Sequence, residues 1–255
     1  MIPDAADEAL FRSALEAGIA TLGLSLSAAE IEACSRYKDL LLATNEHTNL
    51  TRITAPADVA VKHFVDSLTV LSAVPNLAPK ATLLDVGTGA GFPGLVLKIV
   101  RPELRVTLMD SLAKRLTFLG EVIEALGLEQ VTLVHARAED AGRDPAHRDR
   151  YDLVTARAVA ALPTLLEWCT PFVRPSSGRF VAMKAANVDV ELAAAESASF
   201  LLHARLEADL PLELPTVPGD TEVSSRRLLV YRKSRPTPAL YPRRPAEIKA
   251  KPLGG

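Results

Sequence analysis

The sequence predicts an α/β fold: a doubly wound, mostly parallel seven-stranded sheet whose end is antiparallel, with helices placed before it. Three observations predict this. From about residue 81, short β-branched runs alternate with helical ones, the pattern of successive βαβ units. The last two strand-like runs, "RLEADLPLEL" and "RRLLVYRK", are separated only by a Pro/Gly-rich turn. A parallel crossover needs about a dozen residues or more, usually a helix, so these two runs pair antiparallel. The first 75 residues, by contrast, carry helical periodicity.

The elements follow in order. "SAAEIEACSRYKDLLLATNEH" opens with Ser27 and Glu30 in capping-box spacing, and Ile31, Cys34, Tyr37 and Leu41 keep a helical stripe. "NEHTNLTRIT" is polar and without period. A further helix starts near Pro56, a good first-turn residue, with the stripe Val61, Phe64, Val65, Leu68, Leu71. "VPNLAPK" is a connector. Strands are then expected at "ATLLDV", "RVTLMD", "VTLVH", "YDLVTA" and "RFVAMK", with helices between them, before the closing pair. "PTPALYPRRPAEIKAKPLGG" is Pro-rich and expected to lack regular structure. The division is a helical layer over 1–78, a sheet domain over 79–235 and a basic tail over 236–255.

Composition narrows the function. Cys34 and Cys169 form no C-x-x-C pair, and the five histidines show no i, i+4 pairing, so no metal site is expected. The acidic start "MIPDAADEAL" lacks a secretory pattern, and no apolar run reaches the roughly 18 residues of a membrane span. A cytoplasmic monomer that does not touch membrane is expected. Residues 226–255 hold nine Lys/Arg and one acid, a net of +8, against −10 for the preceding 225. A basic tail on an acidic body suits either a polyanionic partner or mere solvation.

"LLDVGTGAGFPG" (83–94) breaks a strand into a glycine-rich loop. It contains Gly89-x-Gly91-x-x-Gly94, a dinucleotide pattern, and Asp85-x-Gly87-x-Gly89-x-Gly91. A dinucleotide sets its pyrophosphate over such a loop, where Asp85 would face like charge. S-adenosylmethionine (SAM) has no phosphate and carries an ammonium and a sulfonium, which Asp85 suits. Asp110 ends the second strand 19 residues after Gly91, the place for an acid on ribose hydroxyls or for a helix N-cap. Arg137, Ala138 and Glu139 follow the third strand, where an adenine would lie. Arg157 ends the fourth and would meet a carboxylate or phosphate, or pair with an acid such as Glu139. That strand end lacks both the Asn/Asp-Pro-Pro-aromatic device and a Cys nucleophile, so the acceptor needs alignment more than activation.

"NLT" (49–51), "VKHFVDSL" (61–68), the glycine loop, "TLMDSLAKRLTFL" (107–119), "RAE" (137–139), "ARAVA" (156–160), "MK" (183–184) and "YPRRP" (241–245) occur in that order. Together they resemble the RsmG/GidB family of bacterial methyltransferases of small-subunit ribosomal RNA, from about residue 35 to the end. The resemblance implies a Rossmann-like class I SAM-dependent methyltransferase. It would methylate a guanine N7 in the decoding-region stem-loop of 16S rRNA, free or in a 30S particle. It implies cofactor contacts at Gly87, Phe92, Ala138, Glu139 and Arg157; the fold adds Asp110 and Ser111, and the loop adds Asp85, Gly89 and Gly91. Guanine N7 carries a free lone pair, so no acid or base is assigned. Asn49, Lys184 and Arg226 are candidates for RNA or target-base contact. His63, with Asp66 and Ser67 on its helix face, either closes the cofactor pocket, touches RNA, or docks the helices on the sheet. Arg243 and Arg244 beside Tyr241 suit phosphate contacts and stacking, or else the tail packs as structure. The rival readings are a SAM methyltransferase of another RNA, a protein or a small molecule; a SAM-binding regulator; and, remotely, an NAD(P)-binding oxidoreductase.

Overall fold

A computed structural model describes residues 4–217 and 224–254. Part of the turn expected between the last two strands, 218–223, lies outside the described residues. The helical layer comprises α1 (Ala5–Thr21), α2 (Ala28–Thr48), α3 (Pro56–Val59) and α4 (Asp66–Ala73), with a π-helical stretch, Ala60–Val65, between the last two. α2 begins with the expected capping box: the Ser27 amide and hydroxyl donate to Glu30, and Glu30 N–H donates back at 3.3 Å. It ends at Asn49, whose left-handed backbone (φ 53°) lets the chain turn away.

The sheet contains β1 (Thr82–Val86), β2 (Arg105–Asp110), β3 (Val131–His135), β4 (Leu153–Arg157), β5 (Arg179–Ala185), β6 (Ala204–Glu213) and β7 (Ser225–Lys233). Its seven strands lie in the order β3-β2-β1-β4-β5-β7-β6, and only β7 runs antiparallel to its neighbours. The intervening helices are α5 (Gly94–Val100), α6 (Ala113–Leu126), α7 (Ala138–Ala141), α8 (Leu162–Cys169) and α9 (Asp189–Leu201).

Strands buried on both faces read as continuous apolar runs, and successive residues then serve opposite layers. Leu83, Leu153 and Val181 pack with Phe11, Leu15, Tyr37, Leu41 and Phe64 of the helical layer. Their neighbours Leu84, Val154 and Phe180 pack with Leu165, Leu166 and Phe172 on the other face. The helical layer thus shares one core with the sheet.

Two expectations are corrected. The helix begun at Pro56 is not uniform, because its apolar stripe runs straight through the π-helical stretch and conceals it. The tail is not irregular: it carries α10 (Pro245–Ala250), and Tyr241, Ile248 and Leu253 are buried. Apolar side chains set among the prolines give the tail something to bury. Arg148 completes the attachment, donating to the carbonyls of Gly142 (2.7 Å), Thr237 (2.7 Å) and Tyr241 (2.9 Å).

Arg243 is corrected with it. Its guanidinium grips Glu167, with Nε at 2.9 Å from Oε1 and Nη2 at 2.7 Å from Oε2, and its backbone N–H adds a third bond at 2.8 Å. Glu167 is fully buried, so this arginine neutralises an interior carboxylate and is not free for phosphate. Arg244 beside it is exposed.

Losing a Ser N-cap costs about 1 kcal/mol. Ser27→Ala should therefore lower the thermal midpoint by about 2–4 °C in a chain of this size, measured by calorimetry.

Candidate cofactor and target-base site

The glycine loop leaves β1 at Val86 and reaches α5 through Phe92 and Pro93. Two of its glycines do different work. At Gly91 (φ 96°) an added Cβ would lie 2.2 Å from the Tyr37 hydroxyl oxygen and 2.8 Å from Leu119 Cδ2. At Gly89 (φ 61°) it would meet only the Gly87 carbonyl at 4.0 Å, so that face is open. Gly91 therefore lets α2 approach the loop, and Gly89 leaves room for a ligand. The Tyr37 hydroxyl donates to the Ala90 carbonyl, and its ring stacks on Phe92 at 5.1 Å. His63 also stacks on Phe92, at 4.6 Å, and Arg157 lies 5.3 Å from the same ring.

Asp85 is not where the sequence reading put it. It is fully buried and faces the protein interior, not the cavity. Its Oδ2 accepts from the Thr88 hydroxyl (2.7 Å) and from Gly94 N–H at the start of α5 (3.0 Å); Oδ1 accepts from the Thr155 hydroxyl on β4 (2.9 Å). Burial pushes its pKa up, and these three donors pull against that. The carboxylate braces the loop and occupies the helix end where a dinucleotide would set its pyrophosphate. Asp85 therefore still disfavours a pyrophosphate at this helix end, but it makes no contact with a cationic ligand in the cavity.

A cavity of about 450 Å³ opens at the carboxyl ends of β1 to β4. Gly87, Gly89, Phe92, Asp110, Ser111, Ala138, Glu139 and Arg157 all line it; Gly91 does not. Asp110 is anchored by Gly89 N–H (3.0 Å), Leu112 N–H (2.9 Å) and Arg115 (3.0 Å). It thus tethers the loop and turns the chain into α6 while facing the cavity. Arg115 Nη1 also reaches Oδ1 at 3.4 Å, so both carboxylate oxygens are engaged and a ligand hydroxyl would share one of them with these donors. Glu139 is buried to 6% exposure, and no protein donor among the described residues meets its carboxylate. A carboxylate open to a cavity and met by no protein donor fits a ligand that brings one.

A second cavity, about 480 Å³, adjoins the first, sharing His63, Arg157 and Ala158 with it. Lys184, Arg226, Asp66 and Glu191 also line it. Arg157 pairs with Asp66 at 2.9 Å, not with Glu139, and Arg226 approaches the same carboxylate at 3.3 Å. Lys184 pairs with Glu191 at 2.7 Å. Asn49, exposed at the end of α2, lines neither cavity; its neighbour Thr51 lines the first. Ser67 is buried, its hydroxyl donating to the His63 carbonyl at 2.5 Å.

His63 belongs to both readings at once, packed against the sheet and exposed to the cavities. Its Nε2 lies 2.8 Å from the Thr51 hydroxyl and its Nδ1 3.3 Å from Arg157 Nη2. An arginine only donates, so Nδ1 accepts and the proton sits on Nε2. Burial, reinforced by the Arg157 charge, pushes its pKa down to about 3. The ring is neutral throughout the physiological range. Sequence reasoning missed Tyr37, Thr155, Trp168 and the Asp66–Arg157–Arg226 group as parts of the site. Tyr37 read only as part of a helical stripe and Thr155 only as part of the fourth-strand end, and no local spacing signals a pairing across 91 residues.

The family profile "GidB: rRNA small subunit methyltransferase G" matches residues 30–209. The chain belongs to this family. A relative from Symbiobacterium thermophilum named "Ribosomal RNA small subunit methyltransferase G" is 46% identical over 252 residues, covering 97% of this chain and 100% of its own. One of the same name from Lacticaseibacillus paracasei is 47% identical over 251 residues, covering 98% and 99%. A member of such a family is a SAM-dependent methyltransferase, and the solved structures agree on the fold. Precorrin-6y C5,15-methyltransferase from Geobacter metallireducens superposes with a TM-score of 0.50 at 18% identity, over 66% of this chain and 86% of that one. A mutant of MtNAS in complex with S-adenosylmethionine gives 0.52 at 14% identity, over 88% and 78%. Among the described residues, no group of His, Cys, Asp and Glu could hold a metal ion, and no helix is long and apolar enough to cross a membrane.

The two glycines should separate by substitution. Gly91→Ala should destabilise the fold by about 1–3 kcal/mol, because Tyr37 must move. Gly89→Ala should cost about 1 kcal/mol from backbone strain alone but weaken SAM binding. Denaturant unfolding and isothermal titration read the two effects. Titration of the unaltered protein should show SAM and S-adenosylhomocysteine binding and no NAD binding.

Proposed function

We propose that this protein transfers the methyl group of SAM to the N7 of a guanine in 16S rRNA, in the decoding-region stem-loop. The observation that carries this reading is the pair of adjoining cavities whose shared histidine cannot act as a base. His63 is the one histidine between the cavities, and it is neutral, doubly engaged and held near pKa 3. A methyltransferase acting on a protonated amine or hydroxyl needs a proton acceptor; guanine N7 has a lone pair and no proton to lose. The family and the name shared by its relatives supply the rRNA substrate.

SAM brings an activated methyl carbon on sulfur; the N7 lone pair forms the new C–N bond, the C–S bond breaks, and S-adenosylhomocysteine leaves. The protein's part is binding and alignment. Asp110 would accept from the ribose hydroxyls, with Ser111 beside it. Ala138 and Glu139 would border the adenine, the Glu139 carboxylate accepting its exocyclic amine. Gly87, Gly89 and Phe92 would form the floor. The second cavity would take the guanine, with Arg157 and His63 at the boundary between base and cofactor. Its four cationic side chains outnumber its two acids, which suits the phosphates flanking an extruded base. Lys184 and Arg226 stand in that wall. The expected partner is 16S rRNA or a 30S particle, and the expected setting is a cytoplasmic monomer.

Mapping N7-methylguanine in 16S rRNA from cells with and without this gene tests the reading directly; an unchanged modification pattern refutes it. Single-turnover methylation at saturating RNA and SAM should be flat between about pH 6 and 8. His63 remains unprotonated until pH falls towards 3, so it adds no limb in that window.

A further inference from the structure

The tail's attachment points lie against the cofactor cavity. Arg243 clamps Glu167, and the next residue, Trp168, lines that cavity beside Arg137, Ala138 and Glu139. The indole N–H of Trp168 is buried without an acceptor, so packing alone holds the ring. On the other side, α7 has only four residues, Ala138–Ala141, too few to be stable as an isolated helix. Arg148 joins the carbonyl of Gly142, which ends α7, to the tail carbonyls of Thr237 and Tyr241. Arg143, next in the chain, donates to the Pro242 carbonyl. Tyr241 shares a core cluster with Ala138 and Ala141.

By motif the tail is remote from the cofactor; by packing it holds both walls of the adenine end. We infer that the segment from Thr237 to Arg243 is a strap that positions α7 and Trp168 for cofactor binding, with Arg243 a positioning residue acting through Glu167. Its basic charge is then spent inside the protein and not on RNA. The geometry favours this assignment because Glu167 is fully buried and accepts all three donors from Arg243. A bidentate pair on an interior carboxylate fixes position as well as charge. The inference rests on the cofactor reading of the first cavity.

The test measures S-adenosylhomocysteine binding by isothermal titration on the full chain, at a temperature where every variant is folded. Arg243→Ala should raise the Kd about tenfold. Arg243→Lys should recover part of the loss, because it keeps the charge but not the fork. Lys249→Ala, which removes an exposed charge from the same tail, should leave the Kd unchanged. Binding is reciprocal, so S-adenosylhomocysteine added to the unaltered protein should slow hydrogen exchange in 237–243 as well as in 138–142. That measurement decides the matter if Arg243→Ala does not fold. An unchanged Kd for Arg243→Ala, or protection confined to 138–142, overturns the strap. Failure of the unaltered protein to bind the ligand would instead overturn the cofactor reading, so the two failures are distinguishable.

Discussion

The site depends on one buried carboxylate. Asp85 ties together three pieces of chain: the loop through Thr88, the first turn of α5 through Gly94, and β4 through Thr155. Strand pairing already sets Asp85 opposite Thr155, so the hydroxyl is in place before the loop is formed. An unpaired buried carboxylate is costly, and each of these donors lowers that cost. In the conformation the loop adopts, all three donors reach Asp85. In that conformation the outer face of Gly89 is open to the cavity and Gly91 admits Tyr37.

Around this brace the aromatic residues form a second constraint. Phe92 is packed by Tyr37, His63 and Phe64, one ring from α2 and two from the π-helical stretch. The same contacts that bind the helical layer to the sheet therefore fix His63 and, through Asp66, Arg157. The desolvation that keeps the imidazole neutral is a by-product of that packing. Chemistry that needs no proton acceptor from this imidazole is compatible with such a site.

Most of the fold was legible because it is written in local periods. The alternation of β-branched and helical runs marks the strands up to the closing pair, and the short link within that pair gives its antiparallel sense. The cavity was legible because glycines and strand-end acids sit at fixed offsets: Asp110, Ala138 and Glu139 line it as their spacing suggested. What failed depends on tertiary partners. Asp85 and Arg243 read as charges awaiting ligands, but Thr155 and Glu167 claim them from 70 and 76 residues away. The π-helical stretch and α10 were missed because a stripe of apolar residues does not register an extra residue per turn, and prolines masked a six-residue helix.

The helical layer carries a consequence for how the boundaries of this protein are drawn. The family profile starts at residue 30, yet Phe11 and Leu15 of α1 are fully buried in the core that also holds Tyr37, Phe64 and Phe92. The stretch matched by the profile and the stretch that packs as one core therefore differ in length, while the full-length relatives align over 97–98% of the chain. A chain trimmed to the profile's bounds would lose Phe11 and Leu15 from beside Phe64, and with them part of the packing behind the glycine loop.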